Sequence, residues 1–336
     1  MQHDTLGPNA AITGRRHPGR MHILVAGELN PDLVLKDYSS FPELGKEVLA
    51  GGLALSLGSS SAICAAGLAR LGNAVQFAAK VGADSWGDYC VESLRQAGVD
   101  TTSVIRDSNI QTGLTVSLTC GRDRALITYL GAIAALTAED ISDTLLEQCS
   151  HLHVSSYYLQ ESLRPGCRKL FRRAHDRGIT TSLDPGFDPS EQWGAEIHET
   201  LDEVDVFLPN EVELAAIAGH SDLAAALRRL QNGRTLTVAK LGPKGCAALA
   251  EGLVIRTSAH PVSPVDTTGA GDTFNAGFLH SWLRGKPLEQ AMRFAAVCGA
   301  LSTLGVGGTS AQPDAAEVEK HLHSHPGAAK CASPGS

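Results

Sequence analysis

The run Val265-Asp266-Thr267-Thr268-Gly269-Ala270-Gly271-Asp272-Thr273-Phe274-Asn275-Ala276-Gly277-Phe278 carries the clearest chemistry in the chain. Its first half is small and Gly-rich, and the apolar residues after Asp272 fall at helical spacing, so the glycines open a helix. Backbone N–H groups of Gly269, Ala270 and Gly271 would point outward there, and with the helix dipole they form a cradle for negative oxygens. Phosphoryl transfer builds charge on equatorial oxygens, which such preorganised donors stabilise. The Asp272 carboxylate in that first turn is placed to take the proton of an attacking hydroxyl. The plainer alternative for an isolated Gly-x-Gly-Asp string is a helix start with an Asp cap. A dinucleotide-binding fingerprint fits less well, because it follows the first strand of a βαβ unit and this run lies near the end of the chain. No GxxxxGK[ST] string occurs.

Such a helix start needs a frame, and the rest of the sequence supplies one. The chain has 336 residues, 43% hydrophobic and 19% charged, enough for a sizeable core and unlike a disordered composition. Its net charge of -8 speaks against a nucleic-acid surface spread over the fold, so an anion site has to be local. The spacing predicts strands at His22 to Leu29, Ala74 to Val81, Leu152 to Ser155, Ile179 to Leu183, Val206 to Leu208 and Leu236 to Lys240. Between them it predicts helices at Ser61 to Leu71, Trp86 to Ala97, Ala138 to Cys149 and Leu163 to Asp176. Alternation of this length means an α/β fold: a doubly wound, mostly parallel sheet flanked by helices. Two stretches break the rhythm, 31–57 and 101–130, and read as short strands of a small β-sheet lid. Residues 1–20 read as a disordered extension, 21–320 as the folded domain, and 321–336, with His321, His323 and His325, as a flexible tail without assigned function. Eight cysteines stand singly, without metal-ligand spacing, as expected of free thiols in a reducing cytoplasm. No apolar run is long enough to cross a bilayer, so no membrane partner is expected.

The run Asp266 to Phe274 closely resembles the carboxyl-terminal signature of the ribokinase-like (PfkB) carbohydrate kinases, and further segments follow in that family's order over nearly the whole chain. Asn30 and Asp32, after the first strand, match positions that hold sugar hydroxyls, although an Asn-Pro-Asp turn explains them equally well on residue type alone. Gly58-Ser59-Ser60-Ser61-Ala62-Ile63 resembles the family's Gly-rich turn and helix, with Gly58 and Ser59 at substrate positions. It departs from the family pattern, since Ser59 stands where a second Gly is usual and Ile63 where an Asn is usual. Asn210 with Glu213 resembles the Asn-x-x-Glu element near metal and phosphates, implying that Glu213 acts on Mg²⁺ through water. Lys240, Gly242 and Gly245 match the loop that runs along the nucleotide, and Lys240 or Lys244 is suited to neutralise phosphate charge. Asp266, Thr268 and Ser302 fall at positions that bind a monovalent cation such as K⁺.

The resemblance implies an ATP-dependent kinase that phosphorylates a hydroxyl of a sugar or sugar acid, with ATP and Mg²⁺ as cofactors and a homodimer formed through the lid. Within the same fold the alternative is a nucleoside kinase, which needs an aromatic clamp in a chain only 5% aromatic. From other classes, a catalytically silent sugar- or nucleotide-binding regulator would be free to lose Asp272, and a nicotinamide-dependent oxidoreductase would bind NADH.

Overall fold

The computed structural model describes residues 22–120 and 123–324. The proposed amino-terminal extension and residues 325–336 lie outside them. The strands are β1 (His22–Ala26), β2 (Pro31–Tyr38), β3 (Ala50–Leu57), β4 (Ala74–Gly82), β5 (Asp100–Asp107), β6 (Leu114–Cys120), β7 (Asp123–Tyr129), β8 (His151–Val154), β9 (Thr180–Leu183), β10 (Val206–Phe207), β11 (Leu236–Lys240), β12 (Cys246–Ala250) and β13 (Leu253–Thr257). Nine form one sheet in the order β13-β12-β11-β10-β9-β8-β1-β4-β5, and four form a second in the order β3-β2-β6-β7.

The large sheet is parallel from β11 to β5. Short strands with a fully buried apolar run, such as Ile23 to Ala26 of β1, make this possible, because both faces must be buried. Ile23 and Val25 join a core shared with the helices Ser60–Arg70, Ser85–Gln96, Ala270–Trp282 and Leu288–Ser302. Leu24 and Ala26 join the opposite core, built on the helices Cys167–His175, Glu196–Leu201, Glu211–Ala218 and Leu223–Arg229. Each fully buried Leu, Ile, Val or Phe contributes about 1.5–3 kcal/mol of transfer free energy, so the strand order is fixed from both faces. Gln312 closes the molecule: its buried amide donates to the Ile63 carbonyl at 2.8 Å and to Thr273 Oγ1 at 3.0 Å, joining the first crossover helix, the Ala270–Trp282 helix and the carboxyl-terminal segment.

Four sequence expectations need correction. The stretch 101–130 does not belong to the small sheet as a whole, because Asp100–Asp107 pairs with β4 and forms the edge of the large sheet. The helix expected over Ala138 to Cys149 shortens to Asp143–Glu147, since Asp140 turns back to accept from the Thr137 amide and Ser142 caps the helix. An antiparallel hairpin, β12 and β13, extends the sheet beyond β11 and had not been anticipated. The hairpin turns through Glu251 and Gly252, both at positive φ, and the chain enters β12 at Gly245 (φ 96°), where an added Cβ would run into the Thr257 carbonyl oxygen. The chain also stays helical to Ser324 rather than fraying at 321, with His321 against His260 at 3.1 Å.

Candidate active site

The carboxyl ends of β1, β9, β10 and β11 open on the same edge, where α/β sheets bind ligands. After β1, Asn30 is buried and donates to Thr115 Oγ1 at 3.3 Å, which ties the large sheet to β6 of the small one. Asp32 lies over Gly58, so closely that a Cβ there would meet its Oδ1 at 2.0 Å. Gly58 is thus required by packing against the carboxylate. Ser59 caps the following helix through its hydroxyl, which accepts from Ala62 N at 3.0 Å, and it does so at φ 72° and ψ 119°. That backbone favours glycine, the residue the family pattern has there. Ile63, in place of the usual Asn, packs on Gly269 and Gly308 and brings an apolar contact instead of an amide.

The second side of the site is the helix Ala270–Trp282, with Gly269 at its cap in the left-handed region (φ 72°). A Cβ on Gly269 would fall 2.7 Å from Gly308 Cα, so conformation and space both demand glycine. The first N–H groups of such a helix lack partners within it. Asp272 stands in this first turn, only part buried, and its carboxyl accepts from Ser60. Burial, with the negative Asp184 and Glu28 nearby, pushes its pKa up to about 7 in spite of Lys240.

Lys240 ends β11 and donates to Asp184 Oδ2 at 2.5 Å, both side chains being largely buried. Asn275 of the Gly-rich helix donates to the same oxygen, and Gly186 N to the other. Burial opposes the Asp184 charge, yet the Lys240 ammonium holds its pKa below the usual carboxylate range. A Cβ on Gly271 would lie 3.6 Å from Lys240 Nζ, so the ammonium borders the glycine cradle. Asn210 and Glu213 form a complete capping box: Glu213 N donates to Asn210 Oδ1 at 2.9 Å, and Glu213 accepts from Asn210 N at 2.8 Å and Nδ2 at 2.6 Å. Burial first, and Asp184 next, raise the Glu213 pKa to about 7.

The structure therefore brings Asp272, Gly271, Lys240 and Glu213 together, while Gly242 and Gly245 shape the turn into β12. Asp266 accepts from Thr268 N at 2.9 Å and Gly307 N at 2.8 Å, and Ser302 donates to the Gly299 carbonyl at 3.0 Å. Lys244 is exposed and pairs with Glu211. Glu28, which sequence reasoning passed over, is buried and accepts from Ser156 Oγ at 2.7 Å and from Ser61. Its one signal was a charged residue within the otherwise apolar stretch read as the first strand. Asn275 stood in the Gly-rich run without an assigned role.

A sheet of this topology with acid, ammonium and glycine cradle at its carboxyl edge defines a ribokinase-type sugar kinase fold. The family model described as pfkB family carbohydrate kinase matches residues 21–315, and the chain belongs to that family. It is 29% identical to "Ribokinase" of Bacillus subtilis (strain 168), over 90% of this chain and 99% of that one. Among solved structures, Arabidopsis thaliana ribokinase complexed with ribose and ATP superposes with a TM-score of 0.78 at 25% identity, covering 90% of this chain and 99% of that one. Fructokinase from Vibrio cholerae O395, bound to fructose, ADP and calcium ion, gives a TM-score of 0.75 at 25% identity, with 90% and 99% covered. The protein is a carbohydrate kinase phosphotransferase.

Proposed function

We propose that this kinase transfers the γ-phosphoryl group of ATP to a hydroxyl of a sugar or sugar acid, with Asp272 as general base and the Gly269–Gly271 backbone as anion hole. One observation carries it: a carboxyl whose pKa is raised to about 7 stands in the first turn of a Gly-capped helix, beside a buried lysine. A base of that strength is matched to a proton leaving an alcohol near neutral pH. Asn30, Asp32, Gly58 and Ser59 line the acceptor side, where carboxylate and amide suit vicinal hydroxyls. Asn210, Lys240, Gly242 and Gly245 lie on the nucleotide side. The ribose and ATP complexed with the Arabidopsis relative support a sugar acceptor and ATP as donor.

The donor set fits the groups this chemistry requires. Mg²⁺ would neutralise phosphate charge, and oxygen donors suit it. Both Glu213 oxygens already accept from Asn210, so Glu213 would hold the ion through water. Asp266, Thr268 and Ser302 would order the glycine turn around a monovalent cation such as K⁺. The small sheet would act as a lid that excludes water. Of the aromatic residues weighed for a nucleoside clamp, Tyr157 and Tyr158 are buried in the core and Tyr129 stands exposed on the small sheet, which favours a sugar acceptor over a nucleoside. Among the described residues no helix is long and apolar enough to cross a membrane, and six cysteines are free.

The test is ATP turnover against a panel of sugars, sugar acids and nucleosides. Asp272→Asn should lose about 10²–10⁴-fold in kcat. Normal turnover by that variant would remove Asp272 as the base, and turnover confined to nucleosides would move the acceptor class.

A further inference from the structure

A file of polar side chains runs through the otherwise apolar centre of the large sheet. Thr180 Oγ1 meets His151 Nδ1 at 2.8 Å, and His151 Nε2 meets Ser182 Oγ at 2.7 Å. Ser182 Oγ then meets His153 Nδ1 at 2.7 Å, and His153 Nε2 meets Ser155 Oγ at 2.7 Å. Thr180 is nearly buried, and the other four are fully buried.

The direction of this file follows from proton counting. We assign the Thr180 hydroxyl proton to the Ser150 carbonyl at 3.3 Å; Thr180 then accepts from His151, which makes that ring the Nδ1–H tautomer. His151 Nε2 then accepts from the Ser182 hydroxyl, and Ser182 accepts from His153 Nδ1–H. His153 Nε2 accepts in turn from Ser155. Every donor is used once and all point one way. The file ends on a backbone carbonyl, which has no proton to pass on, so it is not a route for proton conduction.

Its upper end explains it better. Ser182 pairs with His153 across β8 and β9, and Asp184 lies two residues further on, on the same side of the strand. Asp184 N donates to the Val154 carbonyl at 2.9 Å, while the Asp184 carboxylate holds Lys240. Apolar side chains would fill this space without fixing an orientation; a fully satisfied buried network does fix one.

We infer that the column Thr180–His151–Ser182–His153–Ser155 is a positioning device that sets the Asp184–Lys240 pair against the glycine cradle, with Ser182 and His153 as positioning residues. The inference rests on the function proposed above only in assigning that cradle to phosphoryl transfer. Burial also keeps His153 neutral, its pKa lowered to about 4, with Asp184 and Lys240 as the charged groups that face it.

The experiment uses the full chain labelled with ¹⁵N-histidine and ¹³C-aspartate. Two-bond nitrogen–proton correlations should show both rings as neutral Nδ1–H tautomers, the form less favoured in free histidine. Ser182→Ala should displace the Asp184 carboxyl resonance and lower kcat about tenfold or more, and Ser182→Thr should restore both. An Nε2–H tautomer at either ring overturns the column. So does an unmoved Asp184 resonance in folded Ser182→Ala, or in Ser155→Ala should the first variant not fold. Absence of turnover in the unmodified chain would sink the kinase assignment instead, and the tautomers and the Asp184 resonance would still decide the column.

Discussion

Asp272 shows how much a single side chain can concentrate. Its pKa, raised to about 7 by burial and by the negative charges of Asp184 and Glu28, is a catalytic asset and a thermodynamic cost at once. As a base it must be deprotonated, so kcat/KM should rise with pH through a limb near 7, and a pH–rate profile flat through that region would contradict the assignment. Stability carries the opposite sign. The folded state holds this proton more tightly than the unfolded chain, so the contribution is complete below the ordinary carboxylate pKa and is lost as pH rises through about 7. Asp272→Asn should therefore be more stable than the parent near pH 8, by about 2 kcal/mol, and the gap should close toward about pH 4 in urea titrations. At this scale the sequence marked Asp272 through the resemblance of its string to the family signature, since residue types alone allowed a capped helix start equally well. Its electrostatic neighbours were not marked, because Glu28, Asp184 and Lys240 come from strands far apart in sequence and meet only at the sheet's carboxyl edge.

Among the elements, the Ser60–Arg70 helix is held at a backbone angle its cap residue does not favour. Ser59 sits at φ 72°, and the hydroxyl that caps Ala62 offsets part of that strain. Glycine caps nearly as well as serine and has no Cβ to clash. Ser59→Gly should then stabilise the fold by about 1 kcal/mol, measured as a higher denaturation midpoint. An unchanged or lowered midpoint would show that the cap outweighs the strain. The departure from the family pattern was visible in the sequence, and its cost appears only with the dihedral angle. Elements with strong periodicity, such as β11 and the Ser85–Gln96 helix, could be read directly. The β12–β13 hairpin could not, because a Gly-rich turn followed by small apolar residues does not announce a partner. The assignment of β5 was equally hidden: its alternating pattern suits the edge of either sheet.

Across the whole molecule, the small sheet has two unlike faces. Asp32, Thr115 and Thr128 share one, and Leu33, Leu55, Val116 and Ile127 share the other, by strand register. On the apolar face Leu53, Leu55, Ile127 and Tyr129 are exposed. A second copy laid on that face would bury it, as the homodimer that the family resemblance implies would require. Leu53→Asp should weaken such a dimer by about 3 kcal/mol, because a charge would be taken out of water without a partner. Sedimentation should show the parent as dimer and the variant as monomer; a monomeric parent would remove the dimer from the proposal.

The amide of Gln312 makes a contact that the growing chain cannot form early. It joins the Ile63 carbonyl near the amino-terminal end to Thr273, one residue past Asp272. During synthesis the Ser60–Arg70 helix leaves the ribosome long before either partner exists. That helix face stays uncovered until residue 312 emerges, so the contact that joins the two helices forms late in synthesis.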